Sequence, residues 1–441
     1  MNNALGQLLQ PFRELKAARF FAKELSSNDN SKNQIYLAGD FSILNLLPHS
    51  EIYQDTSSKA SSVRDRSKAS VEFYWLTENE LHLAPNTKLI LYPKYPEVRL
   101  SGFLLGCKKA PSKILTKRDP TRVLLLATTP SDEIIAQAYE GNSNEAEIVR
   151  SAISVGSKIG AFVEIADKNN DNKSQLLAEL TKIYEAGWHR SMKLSGGQLS
   201  TYEAPNAGGY TLEALLGIEA NSKALPDFLG WEVKQYSVNN FIKFSPKSYV
   251  TLMTPEPDGG LYKTDGVQAF LDKYGYPDKK GRPNRINFGG AYNIKKEFHA
   301  DTGLKLILDG YDTEKLYISD TNGCIALVDK QENLAASWSF NSILRHWTNK
   351  HSKAVFVPSI KRVSPLEYAF GNKIELCQQT DALLFLRALS DGTVNYDPAI
   401  KMVRSQNSKE NVKRRSQFRI AHKHLNRMYH KAEIKNISSH T

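Results

Sequence analysis

Short apolar runs rich in β-branched and aromatic residues recur through the first part of the chain: QIYLAG from Gln34, VEFYW from Val71, KLILY from Lys88, VRLSGFLLG from Val98 and RVLLLATT from Arg122. Such runs, bounded by polar and turn-forming residues, predict strands, and their spacing predicts an all-β barrel with a few flanking helices. One helix is predicted over 131–139, with Ser131 as N-cap and acidic residues in its first turn. DKNNDNKS at 167–174 then breaks the pattern without a single apolar residue and reads as a linker. Beyond it, helical stretches such as SQLLAELTKIYEAG and FNSILRHWTNK alternate with strand-like WEVKQYSV, LKLILDG, KLYISD and CIALVD. That alternation predicts an α/β or α+β domain around a mixed sheet, so the domains are expected at 1–166 and 175–441, joined by the linker 167–174. The serine-rich, basic stretch SSKASSVRDRSKAS at 57–70 reads as a surface loop.

Length agrees with two domains, since 441 residues exceed the roughly 250–300 at which a single core stops growing. The mean hydropathy is −0.44, and neither a secretory signal nor an apolar run approaching the roughly 20 residues of a membrane span is evident. A soluble cytoplasmic protein with no membrane partner is expected. Cys107, Cys324 and Cys377 lie far apart and form no CxxC pair, which argues against a zinc knuckle or disulfide framework and for small core residues.

Charge adds direction. The chain carries a formal +11, and residues 401–441 hold eleven Lys and Arg against Glu410 and Glu433, which places +9 of that excess in the tail. A polyanionic partner is implied. The tail is either a solvated arm or a docked segment facing phosphates; in KRRSQFRIAHKHLNRMYHK, Phe418, Ile420, Leu425 and Met428 interrupt the charge at roughly helical spacing and favour docking.

The sharpest chemical feature is LPDFLGWEVKQYS, in which Pro226 and Asp227 precede Glu232, Val233 and Lys234. Metal-assisted phosphodiester hydrolysis needs carboxylates that converge on one point. If GWEVKQYS is a strand, Glu232 and Lys234 share a face because side chains alternate, and Asp227 enters from the preceding turn. Asp227, Glu232 and the Val233 carbonyl are hard oxygen ligands suited to Mg²⁺, and Lys234 can orient the attacking water. ExK tripeptides begin at Glu14, Glu232 and Glu433, but only Glu232 has a PD shortly before it. The competing reading is a solvated strand edge with Trp231 and Val233 as its buried face. A further carboxylate is Glu213, placed in the first turn of a helix capped by Thr211; complementing the helix dipole is its alternative role, and Glu219 is a lower-ranked candidate.

AGGYTLEALLGIEANSKALPDFLGWEVKQ resembles the catalytic segment of the MvaI/BcnI group of type II restriction endonucleases, which are PD-(D/E)xK nucleases, and is similar to the mismatch-repair nicking enzyme MutH. The resemblance extends more loosely from about Ser174 to the C-terminus. It implies a C-terminal α/β PD-(D/E)xK nuclease with Asp227, Glu232, Lys234 and Glu213 as catalytic residues, Mg²⁺ as cofactor and double-stranded DNA as substrate. It also implies a DNA-reading surface at Tyr396, Asp397, Arg414, Arg415, Arg419, His422 and His424. Arginines there suit guanine O6 and N7, and Tyr396 and Asp397 either accept from cytosine or hold the loop. The implied target is CCWGG or CCSGG.

FFAKELSSNDNSKNQIYL and PEVRLSGFLLG look like the two DNA-gripping arms of the EcoRII effector domain, a B3-like β pseudobarrel. Lys23, Ser26, Asn28, Asp29 and Asn30 would lie in the first arm, and Lys94, Glu97, Arg99 and Ser101 in the second. Gly102 and Phe103 stand where that pattern has Arg and Trp, which weakens base readout there; an ordinary polar hairpin is the alternative. Together the resemblances imply a type IIE arrangement in a prokaryotic monomer that holds two DNA copies, one per domain. A cognate DNA methyltransferase is expected in the same system, not as a physical partner. Two other readings are a MutH-like strand-nicking enzyme and a non-catalytic, sequence-specific DNA-binding protein with vestigial carboxylates.

Overall fold

The computed structural model describes residues 2–30, 34–55, 66–92, 97–165, 172–219, 228–246, 249–350, 353–404 and 411–438. Contacts divide the chain into two compact units, Met1–Asp171 and Asn172–Thr441. Most of the predicted linker lies outside the described residues, and its last three positions open the helix Asn172–Glu185.

In the first unit the predicted strands form two sheets. The larger has seven strands with Val123–Thr128 at its centre, paired antiparallel to Arg19–Glu24 and Glu133–Tyr139. All six residues of that central strand are buried, as its unbroken apolar run requires of a strand covered on both faces. One face packs against the helices Asn2–Glu14 and Asn144–Val155 through Leu9, Phe12, Val123, Leu125, Ala146 and Val149. Ser143 caps the second helix, its Oγ accepting from the Ala146 N–H at 3.1 Å.

Two local expectations fail here. Residues 131–139 are not a helix: Glu133–Tyr139 is a strand, because Ile134, Ile135 and Ala136 find partners on both sides, antiparallel in Val123–Thr128 and parallel in Glu72–Thr77. Within 57–70, Ser67–Ser70 is a strand paired with Lys88–Tyr92; residues 57–65 lie outside the described ones.

The second unit is built on an eleven-residue strand, Lys353–Val363, that serves three neighbours. Glu232–Ser237 runs parallel to it from Ala354 to Ser359, Leu366–Phe370 pairs antiparallel with its far half, and Lys373–Gln378 pairs antiparallel with its near half. Lys431–Asn436 extends the sheet beyond Lys373–Gln378. One face carries Val233, Val355, Val357, Ile374 and Leu376, buried against Leu176, Leu180, Ala207 and Leu212 of two helices. The other face carries Glu232 and Lys234.

A second core gathers Trp338, Tyr396, Phe418 and Phe385, with Trp338–Tyr396 and Trp338–Phe418 ring centroids 4.7 and 5.3 Å apart. The tail segment enters it as the strand Phe418–Ala421 followed by a tight helix, His422–Met428. The spacing of its apolar residues is therefore mixed: Phe418 and Ile420 alternate as in a strand, and Leu425 and Met428 repeat at the interval of a 3₁₀ turn.

Candidate active site

Phe228 and Trp231 pair through two backbone hydrogen bonds of 2.9 and 2.8 Å, with Leu229 and Gly230 between them at φ 50° and 82°. This left-handed turn follows Asp227 and feeds directly into Glu232–Ser237. Asp227 itself lies outside the described residues. Among the described residues the strand pairs only with Lys353–Val363, so Glu232 stands at the sheet's edge.

Alternation puts Val233 into the core at 5% exposure and Glu232 and Lys234 together on the opposite face. Lys234 Nζ donates to Glu232 Oε1 at 2.7 Å, and the Glu232 side chain is only 7% exposed. A solvated strand edge leaves its carboxylate in water, whereas this one is enclosed. A close pair in partial burial holds both groups in place.

The helix Ala207–Leu215 packs beside this strand. Gly208 permits the approach: a Cβ there would lie 2.9 Å from the Tyr368 ring and 3.0 Å from Gln235 Oε1. The helix begins earlier than predicted, after Asn206. Thr211 is not its cap; it is buried in mid-helix, where Oγ1 donates to the Ala207 carbonyl at 2.7 Å and accepts from Met192 N–H at 3.2 Å. Glu213 accordingly sits in the last turn, where the dipole disfavours a carboxylate, which removes the dipole explanation for it. Glu219 accepts from the Gly197 N–H at 2.8 Å and is exposed.

The predicted DNA-reading residues divide. Arg414 and Arg415 are exposed and His424 is half-buried. Tyr396 is not on a surface: at 1% exposure it belongs to the aromatic core, because the bulge of ring area on Trp338 and Phe418 closes over it. His422 is also internal, 7% exposed and stacked on Tyr236 with centroids 3.9 Å apart; burial lowers its pKa to about 4. Asp397 bonds Arg419 at 2.6 Å, and Arg419 also donates to the Tyr249 carbonyl at 3.0 Å, so this pair holds the loop.

In the first unit Lys23, Asp29 and Asn30 are buried at 7, 3 and 3%. Lys23 Nζ lies 2.7 Å from Asp29 Oδ2, and Asp29 also accepts from Ser26 and Tyr36 amides; these residues brace the turn instead of facing solvent. Ser26 and Asn28 are exposed. Glu97, Arg99 and Ser101 are half-buried, with Glu97 and Arg99 paired at 3.0 Å. Ile35–Ala38 and Glu97–Ser101 are adjacent strands, which sets the two arm segments side by side. Lys94 lies outside the described residues.

Sequence reasoning missed a basic cleft. Tyr276, Asn287, Lys401 and Lys413 form one cross-strand row of a four-stranded sheet. With Arg285, Arg414 and Arg415 they line a cavity of about 460 Å³. The charge of Arg285, then burial, then Lys413 and Arg282 push the Lys401 pKa down. Lys401, Lys413 and the two arginines were legible as a basic tail, but nothing local joined them to Arg285.

An α/β sheet with an edge-strand Glu–Lys pair and a separate crowd of cations describes a protein that handles a phosphate polymer. The chain belongs to the MvaI/BcnI restriction endonuclease family, which matches residues 177–429, more than half of its length. It is thus a DNA-binding nuclease of a generally divalent-metal-dependent kind. Two solved structures are similar to it. One is the MvaI complex with cognate DNA, at 18% identity and a TM-score of 0.46, covering 60% of this chain and 98% of that one. The other is MvaI without DNA, at 16% identity and a TM-score of 0.35, covering 61% and 100%. No curated protein matches. No helix among the described residues is long and apolar enough to cross a membrane.

Among the described residues no group of three or more His, Cys, Asp or Glu side chains is placed to hold a metal. Glu232 and the Val233 carbonyl are described, and both are hard oxygen donors of the type Mg²⁺ takes. The donor set fits.

Proposed function

We propose that this chain is a Mg²⁺-dependent type IIE restriction endonuclease that hydrolyses double-stranded DNA at a CCWGG-like site and leaves a 5′-phosphate. The observation that carries the catalytic part is the buried Glu232–Lys234 pair on one face of an edge strand, one short turn after Pro226–Asp227 in sequence. Asp227, Glu232 and the Val233 carbonyl would hold Mg²⁺, which when bound supplies charge neutralisation at the phosphate and a more acidic water. Lys234, released from Glu232 by the approach of a phosphate, orients the attacking water and balances charge. Glu213, on the helix packed beside the strand, supplies a further carboxylate to the same edge. Arg414, Arg415 and the half-buried His424 are the residues available to read bases, and the basic cleft supplies salt-sensitive affinity.

Residues before 177 lie outside the family match, and all but the last five of them form a separate compact unit, Met1–Asp171. We assign that unit a B3-like effector role, in which Ser26, Asn28, Lys94, Glu97, Arg99 and Ser101 touch a second DNA copy. An EcoRII-like effector joined to an MvaI-like nuclease resembles the arrangement of UbaLAI. A monomer so built has a single active site and cuts the two strands in successive events.

The test is incubation of a plasmid of known sequence with purified protein, in Mg²⁺ or EDTA, followed by sequencing of the product ends. Discrete Mg²⁺-dependent cuts at CCWGG are expected from wild type. Asp227→Ala should abolish them and retain site-specific binding in a gel-shift assay; undiminished cleavage by that variant removes the proposed site.

A further inference from the structure

The face of the sheet that carries Glu232 and Lys234 is covered by residues near the C-terminus. His422 stacks on Tyr236, two positions beyond Lys234 on the same face, and approaches Phe356 edge-on with centroids 6.4 Å apart. Tyr429 meets Phe356 in a second edge-on contact at 6.5 Å. Phe356 is the register partner of Lys234, and Ala354 that of Glu232, so Tyr429 lies over the catalytic face.

Tyr429 is 6% exposed, and its hydroxyl is buried with no hydrogen-bond partner among the described residues. Buried polar groups are almost always paired, because leaving one unpaired forfeits its hydration without return. An unpaired hydroxyl on the face that carries Glu232 is therefore a group kept for a partner absent from the resting arrangement. Burial, then Cys377, then the charge of Glu232 raise the pKa of this phenol.

We infer that Tyr429 is a positioning residue for Glu232, its buried hydroxyl donating to the carboxylate when Lys234 turns from Glu232 to the DNA phosphate. In the resting protein Lys234 fills that need at 2.7 Å. Once Lys234 serves the substrate, Glu232 loses its charged donor, and a neutral donor on the same face fixes the carboxylate without competing for its charge. This inference rests on the nuclease reading of the Asp227–Glu232–Lys234 site.

The experiment compares full-length wild type with Tyr429→Phe, measuring Mg²⁺ affinity by calorimetry, single-turnover cleavage and the thermal midpoint. Outer hydrogen-bond partners of metal ligands are commonly worth roughly 10- to 100-fold in affinity or rate, so the Mg²⁺ Kd should weaken by about tenfold or more. The midpoint should hold or rise, since Phe removes an unpaired hydroxyl and keeps the ring. Repeating the substitution on Glu232→Gln should leave Mg²⁺ affinity where Glu232→Gln alone puts it. An unchanged Kd and rate in Tyr429→Phe, or an equal loss on both backgrounds, would overturn the inference. Wild type that neither binds Mg²⁺ nor cuts DNA would overturn the nuclease reading itself, and this inference with it.

Discussion

His422 and Glu375 are neighbours whose titrations oppose each other. His422 Nε2 stands 3.6 Å from Glu375 Oε1, and their side chains are 5 and 23% exposed. Burial lowers the histidine from 6.5 to about 4 and raises the carboxyl from 4.5 to about 7, so both are neutral over much of the range between. Between pH 4 and 6.5 folded His422 binds fewer protons than the unfolded chain does, and its contribution to stability falls as pH falls. Glu375 does the reverse: its contribution is complete below pH 4.5 and is lost as pH rises through about 7. The two slopes offset each other in the wild type. Glu375→Gln should therefore leave stability rising with pH from 4 to 6.5, and His422→Phe should leave it falling from 4.5 to 7. Urea unfolding midpoints across that range check this, and the same slope in both variants would show that the pair is not its source.

At the scale of elements, strand rows assemble charge that no segment carries alone. Lys401 and Lys413 face each other across paired strands, an arrangement that destabilises a sheet unless an anion answers it. Arg285 joins from a third strand, already engaged at 3.4 Å with Asp278. If the row grips a DNA backbone, Lys413→Ala should weaken binding evenly across sequences and reduce the slope of log affinity against log salt by about one. Fluorescence anisotropy at several salt concentrations measures that slope; an unchanged slope with altered site preference would make Lys413 a base reader. Elements were legible where one periodicity ran without competition, as in Lys88–Tyr92 and Phe340–Lys350. The prediction failed at 131–139, where a helix cap signal at Ser131 competes with an apolar run that two strands enclose.

Over the whole molecule, the chain divides into two compact units at Asp171–Asn172. A chain beginning at Asn172 retains the family-matched region and the complete sheet around Lys353–Val363. It should still cut DNA containing the site, and it should lose any stimulation by an added short duplex of the same sequence. Cleavage rates with and without that duplex, in full-length and shortened chains, test the effector role; equal stimulation of both would assign it to the catalytic unit.

Sequence alone placed Glu232 and Lys234 on one face, because a strand's period of two is a property of the backbone and needs no tertiary partner. It also singled out the polar run at 167–174 and set Asp227 and Glu232 apart from the other ExK tripeptides. Only the tertiary structure decided which side chains face water. Tyr396 and His422 are polar enough to read bases, yet Trp338, Phe418 and Tyr236, distant in sequence, enclose them. Lys23 and Asp29 look like an exposed arm, yet they neutralise each other inside a turn. Burial and cross-strand register are sums over long-range contacts, and a local pattern carries no record of who the neighbours will be.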